Sequence, residues 1–430
     1  MRISSVPAHR LSHATLTTRA FTLSLENLAK NSTSYGLLAA GQRSLESETK
    51  HYTYLYPRDI GVCSLGILES GNEHLVEVLK TSLIYLTKSQ STLGQFPFYY
   101  QPQTEVNFLL RNNTIRFWTP NSIDSTLWWA ISFLLYYKKT KDETFFNSYK
   151  ANLEKAYLWL MYQDTNNDAL LEQGEASDWA DEMPRSGAVL YTNTLWYWLV
   201  KLRIEVEKKQ ELKTLEQRIY DAFNSLLWVS KESSTNFNYL PDNSFTQENP
   251  ARKSEMELIN SQVNYLPYYL GCVGHRTFES RCDVFGNILA CLVGLADKHK
   301  AALITDAIVR SGANLPYPVK ALYPPIYPGE RDWRDYMTKN RQNYPHQYHN
   351  GGIWPFVGGF WVMWLSEFSP SLAESELERL AEANSLHDWE FNEYLHGESG
   401  TPMGIPYQSW NMGMYIAAYQ AVQKGKSSLF

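Results

Sequence analysis

The sequence predicts a single all-α toroid of paired helices. Two observations carry this. Apolar residues recur at three- and four-residue steps in segment after segment, whereas alternating strand patterns are scarce. No low-complexity linker divides the 430 residues and no short repeat is legible. At about 35 residues per helix plus loop, roughly a dozen helices fit. The expected division is an N-terminal arm and first helix over 1–34 and a toroid over 35–430.

The helical segments run in order. They are "NEHLVEVLKTSLIYLTKSQ", "STLWWAISFLLYYKKT", "YKANLEKAYLWLMYQ", "TLWYWLVKLRIEVEKK", "ELKTLEQRIYDAFNSLLW", "GNILACLVGLADKHKAALITDAIVRSG" and "FVGGFWVMWLSEF". A last helix starts near Gln408. One short hairpin is expected in "NFLLRNNTIRFW", with Asn112-Asn113 at its turn. Loops rich in Pro, Gly, Asn and Tyr separate the helices. In a toroid the loops at one end present the chemistry on a rigid scaffold.

Composition narrows the partners. The net charge is −6 and no long basic run occurs, which argues against nucleic acid or an anionic membrane. No apolar run approaches a membrane span. The chain holds 14 Trp, 29 Tyr and 18 Phe. Most must fill a core, but rings with a polar edge also suit the CH faces and hydroxyls of sugars. Cys63, Cys272, Cys282 and Cys291 form no CxxC pair and lie in apolar stretches, as free thiols of a reducing compartment do; the cytoplasm is the expected location. Residues 1–27 carry Arg2, Arg10 and Arg19 and no acid before Glu26. That composition resembles an organelle transit peptide; the alternative is an ordinary arm leading into a first helix.

Five loop segments hold the candidate chemistry. In "HYTYLYPRDIG", Pro57 is expected to fix a turn, after Tyr54 and Tyr56 and before Arg58 and Asp59. An Arg–Asp pair beside aromatics can grip sugar hydroxyls, or form a buried ion pair. In "FWTPNSIDSTLWW", Asp124 is either a helix N-cap or a ligand. "LLEQGEASDWADEMPRSG" packs Glu172, Glu175, Asp178, Asp181 and Glu182 around Trp179, with Arg185 following. A surface acidic loop needs no tryptophan, so half of a sugar-cleaving carboxylate pair competes with the acidic-loop reading. Just before it, Asp164, Asn166 and Asp168 alternate as in a calcium loop, but the glycine and terminal Glu of such loops are missing, and an Asx-rich turn is expected. In "NYPHQYHNGGIWPF", His346 and His349 lack a third ligand at suitable spacing, so a hydroxyl-binding loop is expected and no metal. The fifth segment, near the C-terminus, sets Glu390, Glu393 and Glu398 among Trp, Tyr and His.

These segments carry a resemblance. "YLYPRD" looks like the segment of glucoamylases that holds the terminal glucose. "SIDSTLWW" and "YHNGGIWP" resemble segments of neutral/alkaline invertases, and "SDWADEMPRSGAVLYTNTLWY" is similar to their acid-bearing segment. The last also resembles the catalytic domain of glycogen debranching enzymes (amylo-α-1,6-glucosidase) and processing α-glucosidases. "NEYLHGESGTPMGIPYQSW" resembles the base-bearing segment of the same group. The matches keep their order from about residue 35 to 420, and "YHNGGIWP" is the most specific.

The resemblance implies an (α/α)6 barrel and an inverting glycoside hydrolase without cofactor, acting on a small-molecule sugar. Two carboxyls would flank the scissile bond, roughly 6.5–9.5 Å apart to leave room for a water. Matched by position, Asp181 takes the general-acid role, with Asp178 as the alternative, and Glu393 the general-base role, with Glu398 as the alternative. Tyr56, Arg58, Asp59, Asp124, Trp179, Arg185, His349, Asn350, Trp354 and Gln408 become candidates for the pocket wall. The chain departs from the invertases where Glu182-Met183 stands in place of their usual two arginines. The length leaves no room for the transferase module of many debranching enzymes. Sucrose and short α-glucosides lead the expected substrates; a glycosylated small acid or polyol is the alternative. A phosphorolytic enzyme would need a phosphate site, and no Gly-rich phosphate loop is present. A sugar-binding protein without activity would not need both carboxylates.

Overall fold

The computed structural model describes residues 8–41, 52, 54–102, 106–108, 122–229, 250–338 and 341–430. Thirteen α-helices lie among them: α1 (Ala8–Lys30), α2 (Pro57–Glu69), α3 (Glu73–Thr87), α4 (Ile123–Thr140), α5 (Glu143–Met161), α6 (Leu190–Glu207), α7 (Lys213–Leu227), α8 (Pro250–Gln262), α9 (Val284–Val293), α10 (Lys298–Arg310), α11 (Pro355–Phe368), α12 (Pro370–Trp389) and α13 (Ser409–Lys424).

Six of them close a ring. α2 packs on α4, α4 on α6, α6 on α9, α9 on α11, α11 on α13, and α13 back on α2. The sequence explains why these six lie inside. Every residue of α2 is buried, as are Ile123–Tyr136 of α4 and nearly all of α9. A helix apolar on all sides is stable only when surrounded. The other helices of the pairs carry a single apolar stripe. α3 buries Leu75, Val78, Leu79, Ser82, Leu83 and Leu86, and α10 buries Ala301, Ile304, Thr305 and Ile308. These stripes face the ring, so α1, α3, α5, α7, α10 and α12 form an outer layer. α1 packs on α12 and α13.

The ring is tight because small residues sit where inner helices cross. A Cβ on Gly66 of α2 would lie 1.8 Å from the carbonyl oxygen of Gly413 on α13. Only glycine allows that approach.

Two expectations are corrected. Pro57 does not make a turn; it is the first residue of α2, where its missing N–H costs nothing and its φ suits the helix. The segment read as one helix through Gly294 is two, α9 and α10. Gly294 adopts φ +83° and ends the first, and Asp297 caps the second by accepting from the Lys300 N–H. Tyr99–Gln101 and Val106–Phe108 pair as a short hairpin, and the hairpin expected around Asn112-Asn113 lies outside the described residues. Residues 109–121 lie outside the described residues, as do residues 1–7 of the arm.

Short strands finish the fold. Glu172–Gln173, Gly187–Val189, Cys272–Gly274 and Thr277–Glu279 form an antiparallel sheet beside α6. All four cysteines are buried and free. Among the described residues no helix is long and apolar enough to cross a membrane.

Candidate active site

The six inner helices begin at one end of the ring. Their N-caps are Tyr56, Ser122, Val189, Asp283, Trp354 and Gln408, and every candidate residue lies close to one of these starts. Contacts between the starts show that they meet. Arg58 at the start of α2 reaches Asp124 at the start of α4, and Arg185 before α6 reaches Asp283 at the start of α9. Helix N-termini carry partial positive charge, which eases the gathering of carboxylates there.

Arg58 forms a two-pronged pair with Asp124, Nε to Oδ2 at 2.6 Å and Nη2 to Oδ1 at 3.0 Å. Ser122 Oγ and Tyr191 OH also donate to Asp124, at 2.7 and 3.0 Å. Asp124 is therefore not the N-cap of α4, which is Ser122; its carboxylate holds Arg58 in place. The buried pair expected for Arg58 exists, but with Asp124 and not with Asp59. Asp59 is buried, and burial pushes its carboxyl up to about 7 against the pull of Arg58.

The acid loop separates its carboxylates. Asp178 receives Arg185 Nη2 at 2.7 Å, Gln173 Nε2 at 2.8 Å and the Ala180 N–H at 2.8 Å. Arg185 also donates to Asp283 at 2.6 Å. Asp178 thus serves as an anchor for the loop. Asp181 points elsewhere, its side chain a fifth exposed and 3.9 Å from His349 Nδ1. Glu175 takes Tyr336 OH at 3.0 Å, and Glu182 takes Gln342 Nε2 at 3.1 Å. Trp179 is the hub beneath the loop. It meets His349, Trp354, Phe285 and Phe356 edge to face at 4.9–5.5 Å. That packing fixes the loop on which Asp181 stands, which is the structural use of a tryptophan among acids.

His349 is buried, stacked on Trp354 at 5.1 Å, and burial holds its pKa well below the usual range, so it is neutral. Trp354 is fully buried, with its Nε1 donating to Tyr348 O. Asn350 spends its side chain on the Ile326 backbone, N–H to Oδ1 at 2.7 Å and Nδ2 to O at 2.8 Å. His346 turns away, to Tyr327 OH at 2.9 Å and Glu398 at 3.4 Å. Among the described residues no group of three His, Cys, Asp or Glu is arranged to hold a metal. Asp164, Asn166 and Asp168 accept from the backbone of residues 168–170, the Asx-rich turn expected.

Glu393 precedes α13, which stands across the ring from α6 and its acid loop. It lies at the foot of a hairpin made by Tyr394–Leu395 and Pro402–Met403. It is 4% exposed. Tyr52 OH donates to Oε1 at 2.8 Å and the Ile405 N–H to Oε2 at 3.0 Å. Burial pushes its carboxyl up to about 7; those two donors pull it down, and the charge of Asp181 adds to the rise. Asp181 and Glu393 therefore sense each other. Glu398, toward the hairpin's tip, is mostly exposed and pairs with His346. Tyr56 packs against Tyr52, Phe98 and Tyr99. Gln408 is fully buried, with neither amide atom bonded to protein. Tyr52 is the site residue that the sequence does not single out. It is one of three alternating tyrosines, and nothing local marks the one that reaches across 341 positions to Glu393.

A closed ring of six helix pairs, with carboxylates gathered where the inner helices begin, defines the class: an (α/α)6-barrel glycoside hydrolase. The fold is that of the GH63 mannosylglycerate hydrolase from Thermus thermophilus solved in complex with glucose, at TM-score 0.62 and 14% identity, covering 93% of this chain and 99% of that one. The chain belongs to the alkaline and neutral invertase family, whose model matches residues 26–425. Probable alkaline/neutral invertase D of Arabidopsis thaliana is 23% identical over 422 residues, 89% of this chain and 77% of that protein. Alkaline/neutral invertase E, chloroplastic, of the same plant is 27% identical over 232 residues, 52% of this chain and 33% of the relative.

Proposed function

We propose that the protein hydrolyses the α-glucosidic bond of a small sugar, sucrose or a short α-glucoside, with inversion. In this reading Asp181 gives its proton to the glycosidic oxygen as the bond to the anomeric carbon breaks. Glu393 takes a proton from a water that attacks that carbon from the opposite face, so the product is β-glucose. Arg58, Asp59, Tyr56 and Gln408 hold the glucosyl hydroxyls. The observation that carries the proposal is Glu393: a buried carboxyl, fixed through both oxygens, raised to about 7 and coupled to Asp181. A base of that strength is poised for work at neutral pH.

A second reading has its own support. The fold neighbour is a mannosylglycerate hydrolase, and Glu182-Met183 replaces the arginines usual in invertases, so the leaving group could instead be a small acid or polyol. Proton NMR of sucrose, maltose, isomaltose and glucosylglycerate mixed with the enzyme tests both. Loss of one neutral α-glucoside with β-glucose appearing first is expected; α-glucose appearing first ends the inverting model. For location, the free buried thiols support the cytoplasm. A fluorescent fusion confined to an organelle would oppose that.

A further inference from the structure

Glu393 is reached through an unusual stretch of backbone. α12 leaves helical geometry at Leu386, and His387, Asp388 and Trp389 follow with φ of +51°, +58° and +67°. Phe391 adds a φ of +48°. Three consecutive left-handed residues, none of them glycine, form a turn that L-residues resist, because each Cβ crowds the following carbonyl oxygen. Asn392 and Glu393 come next in the chain. Strain of this kind persists only where neighbours hold it, and it gathers at sites where position matters.

The neighbours are the start of α13 and the outer helix α1. The Tyr407 N–H donates to Glu390 O at 2.5 Å and the Gln408 N–H to Phe391 O at 3.2 Å. Arg19 of α1 lies over the Trp389 ring at 5.3 Å. Asn411 does most. Its Nδ2 donates to Asn392 O at 2.6 Å and to Phe391 O at 3.4 Å, so one side chain grips the two carbonyls just before Glu393. Asn411 is 1% exposed, and its Oδ1 has no protein partner. A buried acceptor left unpaired costs stability. Half of this amide therefore works against the fold, while the other half holds the segment that carries Glu393. The Glu393 side chain has little freedom of its own. Tyr52 OH and the Ile405 N–H take one oxygen each, and a Cβ on Gly404 would come within 2.5 Å of Oε2. What remains to set its place is the backbone of residues 387–393.

We propose that Asn411 is a positioning residue for Glu393: it holds the stiff left-handed turn of 387–389 in register and thereby aims the carboxylate. The proposal rests on the reading of Glu393 as the base. Asn411 touches neither sugar nor attacking water in this scheme and acts only through the backbone. A base displaced by about 1 Å loses on the order of 10²-fold in rate. Sugar binding, which falls to other residues, is kept, so the loss belongs in kcat and not in KM.

The test uses α-glucosyl fluoride. Fluoride leaves without a proton, so turnover reports the base and not Asp181. Asn411→Ala should lower kcat by about 10²-fold and keep KM within about threefold. Asp388→Gly loosens the exposed turn, because glycine adopts a positive φ without strain. Its kcat should fall by about fivefold or more while the urea midpoint holds or rises. A residue with a merely structural role would not lower kcat without lowering stability. Full kcat in either folded variant overturns the proposal, and so does a raised KM at unchanged kcat. If Asn411→Ala does not fold, Asp388→Gly decides. If wild type leaves α-glucosyl fluoride untouched, or Glu393→Gln still hydrolyses it, the base reading falls and this proposal falls with it.

Discussion

At the scale of the residue, the general-base role we propose for Glu393 would set the pH at which the enzyme works. A general base acts only when ionised, and burial places this carboxyl at about 7. The expected kcat/KM rises with pH through about 7 as Glu393 ionises. Tyr52 donates to the ionised form, so Tyr52→Phe should move that limb to higher pH. A limb near the ordinary glutamate value of about 4.3 would show that Glu393 is not the titrating base. The two carboxylates also separate by leaving group. Asp181→Asn should lose about 10²–10⁴-fold on sucrose or maltose, yet retain activity on α-glucosyl fluoride, whose leaving group needs no proton. Glu393→Gln should lose both, and Glu398→Gln, altering an exposed part of the hairpin, should lose neither. The segments that carry Asp181 and Glu393 stood out in the sequence through their motifs. Tyr52, the partner of Glu393, did not, because it reaches that carboxyl only once distant loops have met.

At the scale of the element, the inner helices explain both what sequence reading recovers and what it misses. Outer helices show their stripe, so α3, α5 and α7 are plain in the sequence. α2 hides, because full burial erases periodicity and Pro57 suggests a turn. The α9–α10 boundary hides for a related reason: Gly294 is a single residue in an apolar run, and only its positive φ reveals a cap. Asp124 resembles a cap because it stands in the first turn of α4, and its bond to Arg58 comes from another element. The contact of α2 with α13 yields a prediction. Gly66→Ala drives a methyl into the Gly413 carbonyl and should destabilise by about 3 kcal/mol or more, read from the urea midpoint. Gly174→Ala, whose Cβ would meet nothing nearer than Ser177 Oγ at 3.4 Å, should stay within about 0.5 kcal/mol. Equal effects would mean that the ring has slack at that crossing.

At the scale of the whole molecule, the site costs the fold stability, with a definite sign. Glu393 and Asp59 have folded pKa values of about 7, above the usual values of about 4.3 and 3.9 in unfolded chains. Between those limits the folded state binds more protons than the unfolded one, so stability falls as pH rises. Each carboxyl contributes a loss on the order of 4 kcal/mol over that window. Carboxylates with lowered pKa, such as Asp142 and Glu154, change protonation below it; the neutral, buried His349 works the other way, gaining stability as pH rises toward the free histidine value of about 6.5, and offsets part of the trend. Denaturant unfolding from pH 5 to 8 should show declining stability, and Glu393→Gln should flatten the slope. A Glu393→Gln slope no flatter than that of the wild type would contradict the raised pKa of Glu393.

The ring closes between helices from opposite ends of the chain order. α13 packs on both α1 and α2, and Asn31 donates to Ser409 Oγ across 378 positions. During synthesis, then, α1 and α2 leave the ribosome with one flank bare. At about 5–20 residues per second the nascent chain waits roughly 20–75 s for the segment that covers it. A stalled or shortened message would release not a smaller enzyme but an open arc, its apolar inner helices offered to chaperones or to other unfinished chains.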